Sequence, residues 1–188
     1  MQNSLNGILF SFHYYILPII CILAGLWIIH AFNFITKFKL NQYGIVARDK
    51  RGVLGIMLCP FLHSDIDHLL SNSLYFIVLS LLICSYSFYV YMVSSIYIIL
   101  LSGIFIWLMG RRNIVHIGAS GLIMGYWGFL LSLAYIRPTD LSFILVIVAV
   151  IQCSQLIYSL FPGGKNISWS GHFFGFIAGI LTCYILLN

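Results

Sequence analysis

Ser120 stands in the run Gly118-Ala119-Ser120-Gly121, and His172 follows Gly171, each near the start of an apolar stretch. A serine hydroxyl is a weak nucleophile at neutral pH and needs a base within hydrogen-bond reach; an imidazole suits that work near pH 7. Together the two residues propose acyl-transfer chemistry. Ser120 at a helix N-terminus also brings backbone N–H groups that have no intrahelical partner, at the end where the helix dipole favours negative charge. Those groups can hold an oxyanion. His68 and Asn72 are four apart, hence on one helical face, and can add side-chain donors to the same developing charge. Gly121 and Gly125 follow the serine, and Gly175 and Gly179 follow the histidine, which gives both helices small-xxx-small faces for close approach.

The elements that must position these residues lie in lipid. The chain is 62% hydrophobic and 7% charged, and with a mean hydropathy of +1.05 it has too little polar surface to coat a water-soluble core. A membrane helix needs about 20 apolar residues, and charges divide the sequence accordingly. Residues 12–35 make a first helix, with no basic n-region or small-residue cleavage site before it, so it reads as retained rather than as a signal peptide. Residues 37–67 form a polar loop with five of the nine basic residues. The uncharged run 68–110 is twice what one helix requires and must fold back, near Ser85 to Ser87. A fourth helix covers 118–136 and ends at Arg137-Pro138. A fifth covers 141–161, followed by the turn Pro162-Gly163-Gly164-Lys165, and a sixth begins near Ser168 to Ser170, which can cap it. The expected fold class is an all-α membrane protein, a six-helix transmembrane bundle, with residues 1–188 forming a single domain and no separate soluble domain.

In a hairpin-connected bundle the starts of the second, fourth and sixth helices share one leaflet, so His68, Asn72, Ser120 and His172 come to one side. After Asp67 the only acidic residue is Asp140, in a turn, which predicts a Ser/His dyad without a third, acidic member.

Gly118-Ala119-Ser120-Gly121 with Gly125, the segment His63 to Asn72 (HSDIDHLLSN), and Gly171-His172-Phe173-Phe174-Gly175 with Gly179 resemble the three signature blocks of the rhomboid family, in order and with six-helix spacing. The resemblance implies Ser120 and His172 as the catalytic dyad. It also implies His68, Asn72 and the backbone N–H groups of Ser120 and Ala119 as the oxyanion site. Its members cleave transmembrane proteins in or near the membrane-spanning segment. The implied partners are therefore transmembrane substrates and the lipid bilayer, the implied location a bacterial inner membrane, and no cofactor or metal is expected. In this family the fifth helix can gate lateral access and the turn 161–167 can cap the site. Three positions depart from the pattern. Leu54-Gly55 stand where a Trp-Arg pair is common in the first loop, Met124 replaces an aromatic residue four after the serine, and Gly171 replaces alanine before the histidine.

Blander readings apply to the same residues taken singly. Ser120 alone reads as a small packing residue, and Asn72 alone as an interhelical hydrogen-bonding group. His172 is harder to dismiss, because ionisable groups inside membrane helices are functional by default. His63 orders the end of the loop, and His13, His30 and His116 are expected at membrane interfaces. The tyrosines and phenylalanines read as lipid-facing and belt residues. Five cysteines without a CxxC pair read as packing residues. The net charge of +5 is spread over loops, which argues against nucleic acid as a partner. An α/β-hydrolase elbow needs glycine two residues after the serine, where Leu122 stands. The alternatives that remain are a rhomboid-like non-catalytic membrane-protein binding or trafficking factor, and a small transporter. The first is disfavoured by the presence of both serine and histidine, the second by the absence of a repeat relating the two halves.

Overall fold

In hydrocarbon a backbone has only itself to hydrogen-bond with, so each apolar run closes into a helix. The computed structural model describes residues 2–161 and 169–188, and there the chain forms α1 (Gln2–Ile35), α2 (Gly52–Leu58), α3 (Ile66–Tyr86), α4 (Phe88–Met109), α5 (Ser120–Ile136), α6 (Asp140–Cys153) and α7 (Trp169–Leu187). The six long ones are the six expected from the charge pattern, and the chain is an all-α membrane bundle. The fold-back falls where predicted: extended Ser87 ends α3 and caps α4, its Oγ accepting from the Val90 N–H at 3.3 Å. The turn at 162–165 and a cap at Ser168 lie outside the described residues.

Four helices, α1, α3, α4 and α7, are long and apolar enough to cross the hydrocarbon core by themselves. Helix α5 has 17 residues, about 25 Å, the low end of that range. Twelve of them are buried, so its neighbours, not lipid, meet its surface and its length need not match the bilayer. The fifth predicted helix is also shorter than expected. Its α-helical part stops at Cys153, and a 3-10 stretch, Ser154–Leu160, continues the segment. The steeper rise of a 3-10 helix, about 2.0 Å per residue, recovers the span that the lost α-turns would have supplied.

The core is built around α5. Met124, Phe129, Leu130 and Leu133 pack with Leu79, Leu82 and Ile83 of α3, Ile98 of α4 and Cys183 of α7. Two tyrosines expected at the periphery belong here instead: Tyr91 and Tyr126 are buried, and the Tyr126 hydroxyl lies 2.7 Å from Ser95 Oγ, which satisfies its polar end inside the bundle. The closest helix pair is α5 with α7. A Cβ on Gly179 would strike the Gly125 carbonyl, and one on Gly175 the Gly121 carbonyl, so the glycine faces read in the sequence are the contact surface.

The segment expected as a polar loop is folded. It contains 3-10 turns at Lys39–Tyr43 and Cys59–Phe61, helix α2, and a strand, β1 (Ile45–Val46), paired antiparallel with β2 (Val115–His116). Arg48 then clasps the end of α4, donating from its guanidinium to the Leu108 and Gly110 carbonyls at 2.7 and 2.8 Å. Trp107 returns the bond, its Nε1 donating to the Asp49 carbonyl at 2.9 Å. This clasp anchors the first loop where no Trp-Arg pair exists.

Candidate active site

Ser120 is the first residue of α5, and the three residues before it are pinned one by one. Gly118 has φ +115°, a conformation open to glycine and strained for other residues. Its N–H donates to the Cys59 carbonyl at 2.9 Å, and its carbonyl accepts from the Cys59 thiol at 3.6 Å. The Ala119 N–H points to His63 Nε2 at 3.4 Å, and the Ala119 carbonyl accepts the first helical bond from Ile123. The Ala119 N–H, expected at the oxyanion site, is thus directed to His63. The Ser120 N–H lies in the first helical turn, where no intrahelical acceptor is available.

His68 and Asn72 reach this turn from α3. A Cβ on Gly118 would stand 2.7 Å from His68 Cε1, 2.8 Å from His68 Nε2 and 3.7 Å from Asn72 Nδ2. The same sterics that demand glycine place both side chains against the serine loop. Asn72 is buried, and its Nδ2 has no hydrogen-bond partner among the described residues. A buried amide donor left idle is costly unless something comes to accept from it. Helix α3 itself starts with Asp65 as N-cap, its Oδ1 accepting from the His68 N–H at 2.8 Å.

His172 lies in the first turn of α7. The Gly171 carbonyl is 3.5 Å from where a Cβ on Gly121 would be. The residue before the histidine therefore abuts the residue after the serine, at the α5–α7 contact. His172 Nδ1 is buried and makes no hydrogen bond of good geometry among the described residues, although the Ser159 backbone lies close by. Met124, one turn along from Ser120, is buried in the core.

Beside Ser120 opens a cavity of about 30 Å³, lined among others by Cys59, Ser102, Ile106, His116, Gly121 and Gly171. Its size suits a water or a small side chain. Burial pushes the Cys59 thiol up to about 12, so it stays protonated and is no rival nucleophile. Burial also drives His63 down to about 3 and lowers His116. His63 is thus a neutral acceptor for Ala119, and its carbonyl accepts from Asn41 Nδ2 at 3.3 Å. Two histidines expected at interfaces are inside the protein. His30 is buried against the Phe38 ring and His116 in β2, where it pairs with Ile45 of β1, because the folded first loop covers both. Among the described residues no three His, Cys, Asp or Glu side chains are grouped to hold a metal ion.

Sequence reasoning did not foresee Cys59 as a support of the serine loop or Arg48 and Trp107 as the clasp of the first loop, and it read His63 only as ordering the loop's end. Only His63 carried a signal, five residues before His68 in the same polar block.

A family model described as Rhomboid domain matches residues 50–188. The uncharacterized protein Rv1337 of Mycobacterium tuberculosis is 28% identical over 180 residues, covering 89% of this chain and 73% of the relative. The uncharacterized protein ML1171 of Mycobacterium leprae is 28% identical over 177 residues, covering 89% of this chain and 70% of that protein.

Proposed function

Because the chain belongs to the rhomboid family, we propose that this integral membrane protein is an intramembrane serine endopeptidase that cuts transmembrane proteins in or near their membrane-spanning segment. Residues 1–188 act as one unit, in a bacterial inner membrane. Ser120 is the nucleophile and His172 the general base. The observation that carries the reading is the close approach of Gly121 to the Gly171 carbonyl, which supports a pairing of the neighbouring residues Ser120 and His172.

His172 takes the Ser120 proton as Oγ attacks the scissile carbonyl. The negative charge then grows on the former carbonyl oxygen. The groups that would stabilise it are the Ser120 N–H, the His68 ring once it carries a proton on Nε2, and the Asn72 Nδ2, the last two lying against Gly118. Collapse of the tetrahedral intermediate passes the proton from His172 to the leaving amine and leaves an acyl-enzyme. Water, deprotonated in turn by His172, releases the acid and restores Ser120. No step needs a cofactor. The Cys59 thiol bond to Gly118 and the Ala119 bond to His63 hold the serine loop still while this happens, and the Arg48 clasp ties the first loop that carries Cys59 and His63 to α4.

Labelling of the detergent-solubilised protein with a serine-reactive fluorophosphonate tests the assignment. The adduct should map to Ser120 and weaken sharply in His172→Ala, where the nucleophile has lost its base. Equal labelling of Ser120→Ala would refute it.

A further inference from the structure

We propose that Asp65, acting through the Ser64 hydroxyl, fixes the tautomer of His68 and supplies the counter-charge that lets this ring carry a second proton as an oxyanion donor. The inference rests on the protease reading above.

Ser64 Oγ lies 2.6 Å from Asp65 Oδ2 and 3.2 Å from His68 Nδ1. The hydroxyl has one proton to give. Asp65 is held below the usual carboxylate range, first by the Ser64 hydroxyl and then by the His68 backbone N–H, so at neutral pH it is ionised and only accepts. Ser64 therefore donates to Asp65, and the lone pair it turns to His68 requires a proton on Nδ1.

A neutral imidazole has one N–H. With that proton on Nδ1, the edge that faces Gly118, Cε1 and Nε2, presents a bare acceptor. Such an edge repels an oxyanion. To donate there, His68 must hold both protons, and against the cost of burying a charged ring the chain from Nδ1 through Ser64 to the Asp65 carboxylate favours that cation. The other ionisable groups around it are His63, whose ring centroid is 5.1 Å away and which burial keeps neutral, His30, His172, and Asp67 on its own helix. Asp65 is joined to the ring by a hydrogen-bonded path through Ser64.

Asp65 is also the N-cap of α3, so the test must separate capping from charge. Asp65→Ser keeps a capping oxygen and removes the charge. Ser64→Ala cuts the path and keeps both cap and charge, while Ser64→Thr keeps the hydroxyl. Cleavage of a single-span reporter by the reconstituted full chain is measured against pH. Because activity needs His68 protonated and His172 neutral, the rate falls as pH rises through the His68 pKa. That falling limb should move to lower pH by about half a unit in Asp65→Ser and Ser64→Ala, the size expected for an exposed, solvent-screened charge. Turnover should drop with KM unchanged, and Ser64→Thr should restore the wild-type limb. Nitrogen-15 spectra of the histidines, assigned with His68→Gln, should show the Nδ1–H tautomer in the resting protein and its loss in Ser64→Ala. A limb that does not move in Asp65→Ser, or an Nε2–H tautomer in the wild-type protein, overturns the proposal. If the wild-type chain cuts no reporter, the protease reading fails, and the tautomer measurement still decides whether the relay exists.

Discussion

Gly118 and His68 touch: a methyl group on the glycine would lie 2.7 Å from the imidazole Cε1. The backbone that delivers Ser120 and the ring from α3 therefore form one packed unit, and the absent side chain at 118 is what lets them meet.

Gly118→Ala should be costly on two counts. The residue would sit at φ +115°, worth about 1–3 kcal/mol of strain, and its methyl would displace His68. We expect a lower unfolding temperature in thermal scans and a cleavage rate reduced at least about tenfold. Gly25→Ala in α1, where a Cβ meets nothing within 4 Å, is the control. It should be neutral or slightly stabilising. Wild-type stability and rate in Gly118→Ala would contradict the packing described.

Asn72→Ala removes a donor with no other visible task. Loss of one oxyanion donor costs about 2.7–4 kcal/mol in the chemical step, a factor of about one hundred to one thousand in turnover. Apparent substrate affinity should change much less. A variant with intact turnover and altered affinity alone would make Asn72 a binding or structural group.

The buried His63 gives a pH signature in stability. Its ring is held near 3 in the folded chain against 6.5 for the free side chain. Above about pH 6.5 the ring is neutral whether folded or not. Below that, the unfolded chain takes up a proton that the folded chain refuses, so stability falls as pH drops from about 6.5 towards 3. His63→Gln should flatten this slope without abolishing it, since burial lowers His116 in the same direction. Unfolding midpoints in denaturant across that pH range check it; an unchanged slope would mean that His63 titrates normally.

The helices and their order were legible because charges bound the apolar runs, and the fold-back near Ser85 to Ser87 followed from a run twice one helix's length; that Ser87 caps α4 is what the structure adds. The first loop was not. Strands of two residues carry no periodicity, and α2, seven residues long, is stabilised by what it packs on. The Arg48 clasp joins residues 60 and 62 positions apart, a pairing that one sequence cannot reveal. In the site, the residue types and spacing of Ser120, His172, His68 and Asn72 were readable. The direction of a single N–H was not: Ala119 faces His63 because Gly118 turns the backbone, a three-dimensional fact.

The most direct measurement is the cleavage rate of a single-span reporter by the reconstituted protein and by Ser120→Ala, His172→Ala and the double variant. Residues that act as one unit are not additive. Each single variant should abolish cleavage to background, and the double variant should cost little more. Undiminished cleavage by Ser120→Ala would contradict the assignment outright.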